Sequence, residues 1–255
     1  MRKLVALACG LSIGAAAHAQ AGPSADPLQA RLQKLAVAAG DLQKHLPNFA
    51  CKETLVSQEI RGGKVKTQAQ AAGDLRVERD KDGKPVEQFQ PTQMNGRPVG
   101  PGPLKFPIYV SGGFKNDLDI FQGELQSCFL FKLSGNRLDF ESSPDATTPG
   151  CKDHSDMHGF ALLSGDDITH LERRVAEDAA RGRNAVPFGS IDLSRVGLGD
   201  SSFLLSTHVI AELPKGKSTY RWEATYSECR LFQVKSTVQP VNVDEVPVVS
   251  GPAHP

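Results

Sequence analysis

The chain has no excess of either charge, no long apolar run beyond its first residues and few aromatic residues. It contains 29 basic and 29 acidic residues in 255, which does not indicate the basic surface of a nucleic-acid-binding protein. Beyond the N-terminal region no run approaches the roughly 18 apolar residues of a membrane-spanning helix. One Trp and three Tyr offer few platforms for the sugar cleft of a glycosidase. We therefore expect no nucleic-acid partner and no transmembrane segment.

Catalytic signatures are also missing. Ser111-Gly112-Gly113 and Ser164-Gly165-Asp166 lack the G-x-S-x-G pattern of a serine-hydrolase nucleophile. Gly112-Gly113 has neither the spaced glycines of a dinucleotide-binding loop nor the lysine of a phosphate-binding loop. The sequence thus predicts no catalytic residues and no cofactor, and it favours a non-enzymatic protein.

The first 19 residues are typical of a signal peptide. Arg2-Lys3 is followed by apolar or small residues over 4–17, and an A-x-A cleavage pattern occurs at 17–19 or 19–21. A lipoprotein anchored at Cys9 is an alternative, but only five apolar residues precede that cysteine. Cleavage removes two basic residues and no acidic residue, so the remaining chain has a formal charge of −2. We predict an exported protein, periplasmic or secreted.

Four cysteines remain after cleavage, and an even number in an exported chain favours two disulfides. Three connectivities are possible. We favour Cys128–Cys151, because a hairpin-like segment lies between these two residues, which leaves Cys51–Cys229 as a long-range link. No two of the four are separated by only two to four residues, so a zinc finger is disfavoured.

The cleaved chain is predicted to form a single globular domain over 28–239. A short arm at 20–27 precedes it, and a Pro-rich disordered tail follows at 240–255. An amphipathic helix opens the domain over 28–46, with apolar residues at steps of three and four and Pro47 at its end.

Period-two alternation begins after Pro47 and continues through about nine strands. A second helical pattern over 114–125 interrupts them, with Phe114, Leu118, Phe121 and Leu125 on one face. Gly and Pro dominate residues 95–103, which we expect to be a loop. The predicted fold class is α+β, mostly β. A long curved antiparallel sheet, a half-barrel, wraps on the N-terminal helix and a second short helix.

Several short segments carry a family resemblance. They are Leu46–Cys51 (LPNFAC), Gly112–Phe114 (GGF), Val186–Asp192 (VPFGSID) and Tyr226–Phe232 (YSECRLF). Together with the order of the elements, they resemble secreted proteins of soil acidobacteria, which in turn are similar to the periplasmic lipoprotein-sorting carriers. The resemblance spans residues 28–236. It implies a half-open antiparallel barrel covered by helices, and it assigns no particular lipid-contact residue.

A half-barrel presents an apolar concave face that can hold a lipid or another apolar small molecule. We therefore predict a non-enzymatic envelope protein that binds such a ligand. An alternative is a structural or interaction protein of the cell envelope with a filled core, which contacts partners through its tail and edge strands. The predicted wall residues of the ligand site are Phe129, Phe131, Phe203, Leu205, Trp222 and Tyr226.

Residues 153–158 (DHSDMH) combine two carboxylates and two imidazoles. In an extended chain, His154, Asp156 and His158 point the same way and offer a divalent metal three ligands. This gives a second alternative, a metal-dependent hydrolase. The simpler interpretation is a polar loop beside Cys151.

Overall fold

The computed structural model describes residues 26–101, 104–110, 114, 118–145, 149–176 and 187–232. The predicted signal peptide with Cys9, almost all of the N-terminal arm, Gly112-Gly113 and the Pro-rich tail lie outside these residues. The domain boundaries and the export of the chain therefore stay predictions. No helix in the described part of the chain has the length and hydropathy that crossing a membrane requires.

The predicted first helix is confirmed as α1 (Pro27–His45). Asp26 caps it by accepting a hydrogen bond from the backbone N–H of Leu28 at 3.0 Å, and Pro27 occupies the first helical position. The side chain of Arg79 donates to the carbonyls of Gln43 and Leu46 at the other end. These bonds satisfy carbonyl groups that the last helical turn leaves unpaired. The apolar stripe is buried, namely Leu32, Leu35, Ala39 and Leu42.

The described strands are β1 (Phe49–Arg61), β2 (Lys64–Arg79), β3 (Pro85–Met94), β4 (Arg97–Pro98), β5 (Phe129–Ser134), β6 (Arg137–Ser142), β7 (Met157–Ser164), β8 (Asp167–Val175), β9 (Phe188–Leu198), β10 (Ser201–Lys215) and β11 (Ser218–Leu231). They form one open antiparallel sheet in the order β4-β3-β2-β1-β11-β10-β9-β8-β7-β6-β5. From β4 to β1, and from β11 to β5, neighbours in the sheet are consecutive in sequence; the β1–β11 pairing joins the two series. The fold class is therefore confirmed.

One face of the sheet, which we call the inner face, carries the hydrophobic core together with α1. The strand register places a continuous row of apolar side chains across eight strands on this face. Burial of this row fixes the register between neighbouring strands, because a slip of one residue would move the inward side chains of a strand to the outer face. The row consists of Ala71, Leu55, Ala224, Val209, Ile191, Leu171, Ala161 and Leu138.

Both predicted disulfides are present. Cys51–Cys229 links β1 to β11 next to an irregularity in their register, and Cys128–Cys151 closes the segment that contains the β5–β6 hairpin. The connectivity favoured from the sequence is therefore confirmed.

The predicted second short helix is confirmed as α2 (Gly123–Gln126), which follows a 3₁₀ turn at Asp119–Phe121. The extended backbone of Gln122 separates the two. One sequence expectation was wrong in detail. Residues 95–103 are not wholly loop. Asn95 and Gly96, both with positive φ, reverse the chain tightly enough for β4 to pair with the end of β3.

Gly159 on β7 is a position where close packing excludes any side chain. A Cβ atom there would lie 2.0 Å from the carbonyl oxygen of Glu172 and 2.7 Å from Cζ of Phe140. We expect Gly159→Ala to lower the free energy of unfolding by about 3 kcal/mol, as overpacked cores do. Gly40 on α1 has open space around it, so Gly40→Ala should raise stability by up to about 1 kcal/mol. Urea titration of both variants checks this, and equal stability of Gly159→Ala and the parent protein would contradict it.

Candidate functional site

The six predicted wall residues all lie in the hydrophobic core or against it. Phe129 and Phe131, with ring centroids 6.0 Å apart, join an aromatic cluster with Phe121 and Phe140. The ring of Tyr226 packs 4.8 Å from that of Phe114. Phe203, Leu205 and Trp222 are buried in the same core, and Phe131 is partly buried against it. The structure therefore uses these residues as packing, and their contact with a ligand stays a prediction.

Three surface grooves formed by the described residues do not bring these six side chains together. An open groove of about 960 Å³ lies beside the Cys128–Cys151 disulfide and is lined by none of them. A second groove of about 620 Å³ includes Phe131, and a third of about 320 Å³ beside α1 includes Phe203. None of these three grooves is therefore an apolar cavity shared by the six residues.

The three predicted metal ligands occupy different local structures. His154 ends a 3₁₀ turn (Pro149–His154), Asp156 has a positive φ in the turn that follows, and His158 lies on β7. The ring of His154 packs 5.9 Å from that of Phe129. The extended conformation assumed for this segment was thus wrong, because residues 149–156 turn. Among the described residues, no group of three His, Cys, Asp or Glu side chains has a metal-binding arrangement.

A set of polar residues on the inner face was not predicted from the sequence. Glu53 and Ser57 of β1 are 3 % and 0 % exposed, and they pair across the sheet with Tyr226 and Trp222 of β11. Trp222 is 3 % exposed and is the single tryptophan of the chain. These positions follow the alternation that begins at Phe49, so the period-two pattern of β1 already places them inward.

An irregular segment, residues 104–110, covers this part of the inner face; we call it the plug segment. Ser57 donates to the carbonyl of Ile108 at 2.7 Å, and the backbone N–H of Ile108 donates back to the Ser57 hydroxyl at 2.9 Å. Phe106, Ile108 and Val110 pack against the core, whereas Leu104 and Tyr109 are exposed. The plug segment therefore adds three apolar side chains to the core on this part of the inner face.

Oε2 of Glu53 and Nε1 of Trp222 are buried polar atoms of the inner face without a hydrogen-bond partner. Trp222 pairs with Ser57, which lies four residues after Glu53 on β1. The two sites are therefore about 13 Å apart along the strand. More than nine in ten buried polar groups in folded proteins are paired, so two such atoms beside one irregular segment mark this region as unusual.

The electrostatics of this region are dominated by acidic groups. Burial, and then the charge of Glu87, raise the pKa of Glu53 to about 8. Burial, followed by the charges of Glu53 and Glu87, raises the pKa of Tyr109 to about 12. No cation of the described residues contributes to either shift. An uncharged Glu53 near neutral pH can donate as well as accept a hydrogen bond.

The opposite, outer face carries a charged network set by the same register. His170 Nδ1 lies 2.7 Å from Asp192, and His208 bridges Asp192 and Glu223 at 3.2 and 3.0 Å. Burial alone would raise the pKa of Asp192, but hydrogen bonds from both imidazoles lower it. These groups pair with one another across β8 to β11, so they are already satisfied within the sheet.

Similarity between this chain and known proteins is found among solved structures. No protein-family model matches it, and no curated protein matches it. It is similar to the crystal structure of a DUF1329 family protein from Desulfovibrio piger, with 16% identity, a TM-score of 0.38 and coverage of 81% of this chain and 93% of that one.

Two further structures carry names from the carrier family that the sequence resembles. A LolA superfamily protein from Nitrosomonas europaea has 8% identity and a TM-score of 0.34, covering 80% of this chain and 94% of that one. An outer membrane lipoprotein-sorting protein domain from Vibrio parahaemolyticus has 9% identity and a TM-score of 0.35, covering 80% and 92%. Likeness at these values carries no information about ligand or activity. The resemblance to acidobacterial proteins stays a prediction.

Proposed function

We propose that this chain is an exported, non-enzymatic protein of the cell envelope that binds an apolar ligand on the inner face, beneath the plug segment. The observation that carries the proposal is the pair of buried, unpartnered polar atoms on Glu53 and Trp222 in the region that the plug segment covers. A stable core does not retain such atoms without a reason, and a ligand with polar and apolar parts gives one.

The plug segment explains how a filled interior can still bind. Its three inward apolar side chains occupy the position that we assign to the ligand, and the segment has no regular secondary structure. A ligand would displace these side chains and expose Ser57 and Trp222. The ligand and the plug segment then compete for the same position on the inner face. The apparent affinity for the ligand therefore depends on the fraction of molecules in which the plug segment has left that position.

Quenching of Trp222 fluorescence by 11-bromo-1-undecanol tests this proposal. Because Trp222 is the single tryptophan, we expect saturable quenching at one equivalent, reversed by unbrominated undecanol. Ile108→Ala weakens the closed state, and losing about 1.4 kcal/mol of competing contact tightens binding roughly tenfold. The control is Leu130→Ala, an exposed residue of β5, which should leave the affinity unchanged. Quenching that does not saturate, or an unchanged affinity of Ile108→Ala, would count against the proposal.

A second candidate is the envelope interaction protein with a filled core. It is favoured by the packing of all six predicted wall residues in or against one hydrophobic cluster. The same titration separates the two candidates, because an interaction protein with a filled core would bind no apolar ligand at Trp222.

A further inference from the structure

We infer that the ligand of the inner face carries a primary ammonium group, and that the carboxylate of Glu53 binds it. This inference rests on the proposed function and specifies the chemistry of its ligand. It combines the geometry at Glu53, the charge around that residue and the hydrogen-bonding capacity that the fold leaves unused there.

Glu53 is held inside the protein by its position in the sheet. It lies in the middle of the β1–β11 pairing, directly opposite Tyr226, and is 3 % exposed. Its neighbours of the same parity on β1, Cys51 and Leu55, are buried as well. The carboxyl group cannot reach solvent unless these buried side chains of β1 are displaced, so its unpartnered oxygen faces the interior.

The surroundings of Glu53 are negative. Glu87 of β3 is close enough for its charge to raise the pKa of Glu53, and no described cation acts in the opposite direction. A buried carboxylate without a neighbouring opposite charge is costly in free energy. When no opposite charge is present, the carboxyl group therefore retains its proton. A cationic ligand removes that cost and allows the carboxylate to form.

The type of cation follows from the unused atom. Once Glu53 is ionised, its unpartnered Oε2 only accepts hydrogen bonds, and a primary ammonium has the donor for it whereas a quaternary ammonium has none. Hydrogen bonds between an ammonium and a carboxylate are short and roughly twice as strong as neutral ones. The ring of Tyr226 across the strand pair adds an aromatic surface suited to a cation. A neutral alcohol satisfies the oxygen but leaves the charge unbalanced.

The test compares three ligands with the same twelve-carbon chain: dodecylamine, dodecanol and dodecanoate. Titration calorimetry at pH 7 should show dodecylamine binding at least tenfold more tightly than dodecanol, and dodecanoate most weakly. Glu53→Gln should reduce the amine preference to within about twofold, because it weakens dodecylamine binding far more than dodecanol binding. The control is Glu172→Gln, which removes a carboxylate paired with Arg174 elsewhere on the sheet and should keep the full preference.

Proton release gives a readout that needs no variant. Since the pKa of Glu53 is about 8, the group is mostly protonated at pH 7, and binding an ammonium should release close to one proton per ligand. Calorimetry in two buffers with different ionisation enthalpies measures this number. Dodecanol should release none.

The outcomes distinguish the two proposals. If none of the three ligands binds, the proposed function fails and this inference fails with it. If they bind but the parent protein does not prefer the amine, or Glu53→Gln keeps the preference, only this inference is overturned. Competition by lysophosphatidylethanolamine would assign the amine to a lipid, whereas competition by an apolar peptide with a free N-terminus would assign it to a peptide.

Discussion

Replacing Glu53 by glutamine is expected to raise the free energy of unfolding at pH 8 and above, and to abolish most of its decrease between pH 4.5 and pH 8. The pKa of Glu53 rises from 4.5 to about 8, first through burial and then through the charge of Glu87. Between these values the folded protein keeps a proton that the unfolded chain has lost, so stability falls as the pH rises. At about 1.4 kcal/mol per pKa unit the total is on the order of 3–5 kcal/mol.

Urea denaturation at five pH values from 5 to 9 measures this effect. The other carboxyl groups with shifted pKa values do not interfere, because each pKa is lowered from an ordinary value that is already below pH 5. Hydrogen bonds from Lys52 and Lys34 lower the pKa values of Asp74 and Asp166. Burial opposes the shift at Asp192 and Glu223, but hydrogen bonds from His170 and His208 to Asp192, and from His208 and Arg221 to Glu223, lower both pKa values. Glu172→Gln serves as the control and should follow the parent curve. Parallel curves for Glu53→Gln and the parent protein from pH 5 to 9 would mean that Glu53 is already ionised in the folded protein throughout this range, so that its pKa is not raised.

Replacing both Cys51 and Cys229 by alanine is expected to lower the free energy of unfolding by about 5 kcal/mol. The two residues are 178 positions apart in the sequence, so the disulfide removes much of the conformational freedom of the unfolded chain. Loop-closure entropy gives about 5 kcal/mol for a loop of this length. A loss of this size is comparable to the total stability of many domains.

The second disulfide provides the matched comparison. Cys128 and Cys151 are only 23 positions apart, so the same relation gives about 3 kcal/mol for the double alanine variant. Urea titration of both variants at pH 7 should therefore rank the Cys51–Cys229 variant as the less stable. Equal losses, or the opposite order, would show that the entropy of the unfolded chain does not determine the effect.

Local patterns in the sequence were sufficient for most of the elements. The steps of three and four along α1, and the alternation from Phe49 and from Phe203, predicted the helix and the strands because burial selects the inward side chains. The export signal and the even number of cysteines predicted the disulfides, and the hairpin between Cys128 and Cys151 favoured the right connectivity. The residues at which helices and strands end were harder to predict. The extended backbone at Gln122 and the turn at Asp156 hardly change the spacing of apolar residues in the sequence.

The candidate site depended on information that the pattern does not contain. Alternation places Phe129 or Trp222 inward, but it does not separate a side chain that packs in a core from one that lines a ligand site. Glu53 has the right parity to be inward, yet its significance depends on which strand lies beside β1. That strand is β11, more than 150 residues later, and local periodicity carries no information about such a pairing.

The pairing of β1 with β11 also determines how the molecule would respond to proteolysis. All other neighbours in the sheet are consecutive strands, so β1–β4 and β5–β11 are two separate meanders in the backbone. A single cut between residues 98 and 119 would divide the polypeptide between them, yet Cys51–Cys229 would keep the product one covalent molecule. After reduction, only the noncovalent β1–β11 pairing and the shared core would join the two fragments. The same bond therefore makes the protein tolerant of nicking as long as its surroundings remain oxidising.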